Sequence, residues 1–118
     1  MNTLDALRRF CMSLPHATED IQWENNLLFR IAGKMFAIAP LTGEGQGQLS
    51  FKCTPEEFAE LTEREGVLPA PYLARYHWVF VEIPGAIPAT ELKRLIRGSY
   101  EMVRAKLPAK LRKQYKID

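Results

Sequence analysis

The 118-residue sequence is poor in the residues that hold metals, with two cysteines and two histidines. Neither His16 nor His77, Cys11 nor Cys53 has a partner at ligand spacing such as C-x2-C or H-x3-H, so no metal site is written in the sequence. Cys53, His77 and a carboxylate would have to be assembled in space. Lone residues of these types are usually structural, and even on neighbouring strands the two could sit at opposite ends. Long apolar runs are missing too. The longest, Met35 to Leu41, is broken by Pro40 and falls far below the roughly 20 residues a membrane helix needs. The segment MNTLDALRRF has no basic stretch followed by an apolar one, so no secretory leader is expected and the cytoplasm is the default. Reduced, buried thiols suit that compartment, and a disulfide is not needed. There is no repeat period. The GEGQG at 43–47 is no phosphate cradle: no Lys-Ser/Thr follows, a strand comes next, and Glu44 would repel an anion. It reads as a mobile hairpin tip.

What is present is ordinary for one globular domain over residues 1–118, with 47% hydrophobic and 25% charged residues. The net charge of +2 hides a strong asymmetry. Residues 1–92 hold 7 of the 16 Lys and Arg but 12 of the 14 Asp and Glu; residues 93–118 hold 9 basic and 2 acidic side chains. A basic end of this kind suits an anionic partner, or complements the acidic remainder and the helix dipole.

Hydrophobic spacing predicts the elements. Thr3–Leu14 reads as a helix capped by Thr3, with Leu4, Leu7, Phe10, Cys11 and Leu14 on one stripe. A polar connector around Trp23 alternates enough for a short strand, with a turn at Asn25-Asn26. Leu27–Ile31 and Met35–Ala39 form a hairpin about Ala32-Gly33-Lys34. Strict alternation puts Leu27, Phe29 and Ile31 on one face and Leu28 and Arg30 on the other. In the second strand it puts Phe36 and Ile38 on one face, and Met35, Ala37 and Ala39 on the opposite one. Gln48–Cys53 alternates with Leu49, Phe51 and Cys53 inward. Thr54-Pro55-Glu56-Glu57 is a capping box with proline at the first helical position, opening a helix to about Arg64 that Gly66 stops. LPAPY at 68–72 is a proline knot before the strand Trp78–Ile83, whose Val79, Val81 and Ile83 are read as core. Thr90–Lys106 is the longest helix, its buried stripe being Leu92, Leu95, Ile96, Ser99, Met102 and Val103. A basic tail with room for one more helical turn follows Pro108. This order predicts the α+β class: an antiparallel β-sheet with helices packed on one face.

Several segments together resemble the MmcQ/YjbR-like family of small bacterial domains. They are the Trp23 entry, RIAGKMFAIA (Arg30–Ala39), SFKCTPEEF (Ser50–Phe58), LPAPYLARYHWVFVEI (Leu68–Ile83) and LKRLIRGSYEMVRAKLP (Leu92–Pro108). The resemblance implies a frataxin-like (CyaY-like) fold and a family for which DNA binding through paired β-hairpin wings has been proposed. It supplies no catalytic residues. The iron role of frataxins does not transfer, because their acidic first helix is replaced here by one carrying Asp5, Arg8 and Arg9.

Two candidate sites emerge. Lys93, Arg94, Arg97, Arg104, Lys106, Lys110, Arg112 and Lys113 could neutralise nucleic-acid phosphates, giving affinity without sequence reading. The second is the sheet face away from the core, where alternation gathers Arg30, Lys52, Trp78 and Phe80, joined by Leu28 and Met35. Aromatics beside cations suit a platform for unpaired bases, a protein partner or a small ligand. Burying Trp78 removes about 200 Å² from water, worth about 5 kcal/mol, so a cover from the knot at 67–76 or from a second copy in a homodimer is expected over it. The acids Glu56, Glu57, Glu60, Glu63 and Glu65 read as a solvated helix face rather than a catalytic cluster. The expectation is therefore a non-enzymatic domain with no cofactor and no metal. DNA is its first candidate partner; a protein-interaction or small-ligand module on the Trp78/Phe80 face is the alternative.

Overall fold

The computed structural model describes residues 1–41 and 46–117. The Gly-rich tip at 43–47 falls largely on 42–45, outside the described residues. The sequence folds as helix α1 (Leu4–Met12), strands β1 (Ala17–Gln22), β2 (Asn26–Ile31), β3 (Lys34–Pro40) and β4 (Leu49–Lys52), helix α2 (Pro55–Leu61), strand β5 (Val67–Pro69), a 3₁₀ turn (Ala74–Tyr76), strand β6 (Trp78–Val81), and helices α3 (Ala89–Ala105) and α4 (Ala109–Gln114). The strands make one six-stranded sheet in the order β1-β2-β3-β4-β6-β5. Every pairing is antiparallel. This is the α+β class expected from the order of elements.

Local chemistry sets the element ends. Thr3 accepts the Ala6 N–H at 3.2 Å and opens α1. The capping box of α2 is complete, Thr54 Oγ1 accepting from Glu57 N–H and the Glu57 carboxylate from Thr54 N–H. That helix stops at Leu61, short of Arg64, and Gly66 at φ +87° turns the chain into β5. The Gly66 carbonyl then takes the N–H groups of both Glu82 and Ile83, which ends β6 at Val81. Ile83 is 47% exposed, so it is not the core residue alternation suggested. The β1–β2 turn lies at Trp23 to Asn25, upstream of the expected Asn25-Asn26. The edge strand β5 was hidden in the proline knot. Its Pro69 is tolerated because an edge has one unpaired side.

A register shift between Phe29 and Arg30 marks a β-bulge in the β2–β3 pair. Strict alternation fails there. Ala37 sits opposite Phe29 and Ala39 opposite Leu27 on the core face, while Phe36 also turns into the core. Ile38 pairs with Leu28 on the opposite face. The expected grouping of Phe36 with Ile38, and of Met35 with Ala37 and Ala39, is therefore wrong. A bulge sends two consecutive residues to one side.

The bulge also interrupts the β3–β4 ladder. Ala37 pairs with Phe51 and Ile38 with Ser50, and the next pair in register would be Phe36 with Lys52. There the fully buried Ser99 of α3 intervenes. Its Oγ accepts the Lys52 N–H at 3.0 Å and donates to the Phe36 carbonyl at 2.7 Å. Phe36 meets Tyr100 edge-on at 5.4 Å, and the Tyr100 hydroxyl donates to the Pro15 carbonyl at 2.6 Å. The core lies between this sheet face and helices α1, α2 and α3. On the rim, Arg64 donates bidentately to Glu91 of α3 and to Glu60 of α2, clamping the two helices.

Ser99→Ala strips a partner from two buried backbone groups and should cost about 2–4 kcal/mol, read as a lower urea midpoint. Arg64 holds the Glu60 and Glu91 carboxyls below their ordinary value of 4.5, chiefly by hydrogen bonding. Depressed carboxylate pKa values stabilise the fold fully above that value and cease to do so as pH falls through the lowered ones. The stability gap between the wild type and Arg64→Gln should therefore hold steady above pH 4.5 and close in more acid solution, as urea midpoints across pH would record.

Candidate functional site

The basic segment does not assemble into one free cationic face. Lys93 and Arg97 lie over the ring of Phe10 on α1, at 6.0 and 5.4 Å from its centroid. Arg94 reaches Glu57 at 3.3 Å and Glu91 at 4.0 Å. Arg112 turns back to donate to the Arg104 carbonyl at 2.6 Å and the Leu107 carbonyl at 3.3 Å, closing the C-terminal end of α3. Lys110 and Lys113 stay exposed on α4, and Lys106 points to a different surface, described below.

The second candidate face is assembled largely as alternation suggested. The register sets Lys52 beside Trp78, Ser50 beside Phe80, Arg30 beside Met35 and Leu28 beside Ile38, all on the side away from the core. Arg30 is engaged by Asp20 at 2.7 Å and by the Gly33 carbonyl at 3.0 Å. The knot covers part of this face. Ala70 N–H donates to the Trp78 carbonyl and Trp78 N–H to the Leu73 carbonyl, and Trp78 is only 5% exposed.

The cover is incomplete, and a groove of about 650 Å³ remains. Its floor is Met35, Ile38 and Ser50; one wall is the Trp23 turn and the other is the knot at Ala70–Leu73. The groove needs the bulge. Met35 and Ile38 are three residues apart, so an unbroken strand would send them to opposite faces. Its rim is aromatic and open, with Trp23 62% and Tyr72 98% exposed. Both occupy left-handed backbone, at φ 49° and 67°. Bulky side chains adopt that region at a cost of order 1–3 kcal/mol. Sequence reasoning placed Met35 on this face but missed Trp23, Ile38 and Tyr72 as lining residues, because turn geometry and the bulge set them; Trp78 does not line this groove.

A smaller hollow of about 360 Å³ adjoins the groove, and Met35 and Leu73 line both. Here Lys34, Lys52 and Lys106 converge around Trp78, Met102 and Leu107. The Lys52 ammonium donates to the Tyr76 carbonyl at 3.0 Å. Its pKa is lowered, first by burial and then by the Lys106 charge.

Cys53 and His77 do meet, against the expectation that they could lie at opposite ends. The antiparallel β4–β6 register sets them side by side, and both the Cys53 N–H and its thiol donate to the His77 carbonyl, at 2.9 and 3.3 Å. The His77 ring instead stands edge-on to Phe58 at 5.7 Å. Among the described residues no group of three His, Cys, Asp or Glu side chains gathers for a metal, and no helix is long and apolar enough to cross a membrane.

Comparison with known proteins adds family evidence to this geometry. A family model described as YjbR matches residues 12–102. The Escherichia coli K12 protein named "Uncharacterized protein YjbR" is 28% identical over 115 residues, covering 94% of this chain and 95% of that protein. The crystal structure of a Deinococcus radiodurans protein with a DUF419 domain superposes with a TM-score of 0.86 at 32% identity, over 100% of this chain and 91% of that one. A Pseudomonas syringae structure shares the fold, with a TM-score of 0.66 at 21% identity, over 83% of this chain and 96% of that one.

Burial pushes both thiols, Cys11 and Cys53, up to about 12, with Glu57 adding to the effect at Cys53. Neither should react with a thiol reagent in the native protein at about pH 8, and both should react once it is unfolded. Rapid labelling of either in the folded state would contradict this placement.

Proposed function

The chain belongs to the YjbR family, and we propose that it is a non-enzymatic binding domain whose groove on the helix-free sheet face takes a small, largely apolar ligand. The observation that carries this reading is the open groove of about 650 Å³ between Trp23 and Tyr72. That volume is of the size that small molecules fill. Two aromatic rings stand exposed at its rim, on left-handed backbone that glycine would adopt more cheaply. Exposed rings of this kind can stack against a bound apolar group.

The proposed DNA contact is the second reading. It is supported by the exposed cations of α3 and α4, Lys93, Arg97, Lys110 and Lys113, with Arg94 and Arg112 occupied elsewhere. About four phosphate contacts would give a log–log salt slope no steeper than about −4 on duplex DNA.

The two readings separate in paired titrations. Octanamide, a neutral apolar probe, should cause saturable amide shifts confined to the Trp23 turn, β3 and the knot, and Tyr72→Ala should weaken it several-fold. Fluorescence anisotropy with a DNA duplex should show no salt-dependent binding. Absence of groove shifts at millimolar probe, on the order of the weakest useful affinity, would refute the ligand reading. A salt slope that flattens in Lys110→Ala/Lys113→Ala would favour DNA instead.

A further inference from the structure

The groove and the hollow beside it, which share Met35 and Leu73 in their linings, differ in chemistry. The first is apolar and aromatic. The second brings together three lysines from three separate elements: Lys34 at the start of β3, Lys52 at the end of β4 and Lys106 just after α3. Among the described residues no carboxylate lines that hollow. The contrast with the rest of the surface is sharp. Arg8, Arg30, Arg64 and Arg94 each pair with an acid, whereas among the described residues none of these three lysines takes part in an ion pair.

We infer that the ligand of this groove is an amphipathic anion, its apolar body lying between Trp23 and Tyr72 and its anionic group in the adjoining hollow among Lys34, Lys52 and Lys106. The inference rests on the groove being a ligand site and adds the charge of what it binds.

Lys106 acts on Lys52 as a like charge, and Lys34 adds a third cation to the same hollow; like charges set beside apolar side chains are unfavourable unless an opposite charge joins them. Burial and the neighbouring Lys106 already act against the charged form of Lys52. An oxyanion placed there removes the repulsion and gains charge-assisted hydrogen bonds. Lys52 can supply them: an ammonium has three N–H donors, and the Tyr76 carbonyl takes only one contact at 3.0 Å. Trp78, Met102 and Leu107 line the same hollow, and apolar neighbours of this kind strengthen such contacts. A carboxylate and a phosphate monoester share the required chemistry, and binding distinguishes them.

The test titrates the whole chain with octanoate, octyl phosphate and octanamide, following amide shifts and affinity. Both anions should bind about tenfold more tightly than octanamide, a clear margin in affinity. Their shifts should span both the groove and the hollow, and the tighter anion identifies the head group. Lys34 and Lys106 are exposed, so Lys34→Gln/Lys106→Gln should fold normally. In that variant the preference for anions should disappear while octanamide binding stays unchanged. Equal affinity for all three probes in the groove would overturn the charge inference and leave the ligand reading standing. Tighter anion binding that maps outside the lysine hollow, or survives in the double variant, would overturn it as well. Failure of all three probes to bind would remove both.

Discussion

One serine hydroxyl ties the layers of this domain together. Ser99 stands where the Phe36–Lys52 pair would close the β3–β4 ladder, and serves as acceptor to one strand and donor to the other. Such a bridge is possible only because a hydroxyl carries both a donor and acceptor lone pairs. It gives the Lys52 N–H and the Phe36 carbonyl a partner at a buried gap, where an unsatisfied group would cost about 1–3 kcal/mol. It also fixes α3 against the centre of the sheet. Phe36, Tyr100 and the Pro15 carbonyl follow in contact from that point to the connection between α1 and β1.

The same irregularity shapes the far side of the sheet. By sending Phe36 and Ala37 into the core, the bulge leaves both Met35 and Ile38 on the helix-free face, where they floor the groove. Lys52, whose N–H is held by Ser99, extends its side chain into the cationic hollow on that face. Core packing and candidate site are thus two consequences of one break in pairing. Bulges near functional surfaces commonly re-aim side chains in this way.

Charge shows how pairing in space reshapes a linear signal. The basic excess after residue 92 reads as one cationic stripe. In the fold its members diverge: Arg94 joins the acids of α2 and α3, Lys93 and Arg97 pack on Phe10, and Arg112 closes a helix end. Lys106 leaves the stripe altogether to meet Lys34 and Lys52. Those partners lie 72 and 54 positions earlier in the numbering, so no local window connects them.

The sequence alone determined what depends on near neighbours along the chain. The Thr3 cap, the capping box at Thr54–Glu57, the turn at Ala32-Gly33, the α3 stripe from Leu92 to Ser99 and the α+β order were all legible, because each is set within one turn or one strand period, whereas Met102 lines the outer hollow and the buried Tyr100 was missed. The sorting of Lys52, Trp78 and Phe80 onto one face was legible for the same reason, a period of two in strands without bulges. Only the tertiary structure decided the rest. Where β3 bulges, that Gly66 ends β6 and exposes Ile83, that the proline knot holds an edge strand, and that Cys53 abuts His77 all follow from backbone groups finding partners far away in sequence. The groove and the lysine hollow beside it belong to this second class. They exist because a helix serine, a bulged strand and a proline knot each satisfied a buried backbone, and no pattern of spacing records that joint outcome.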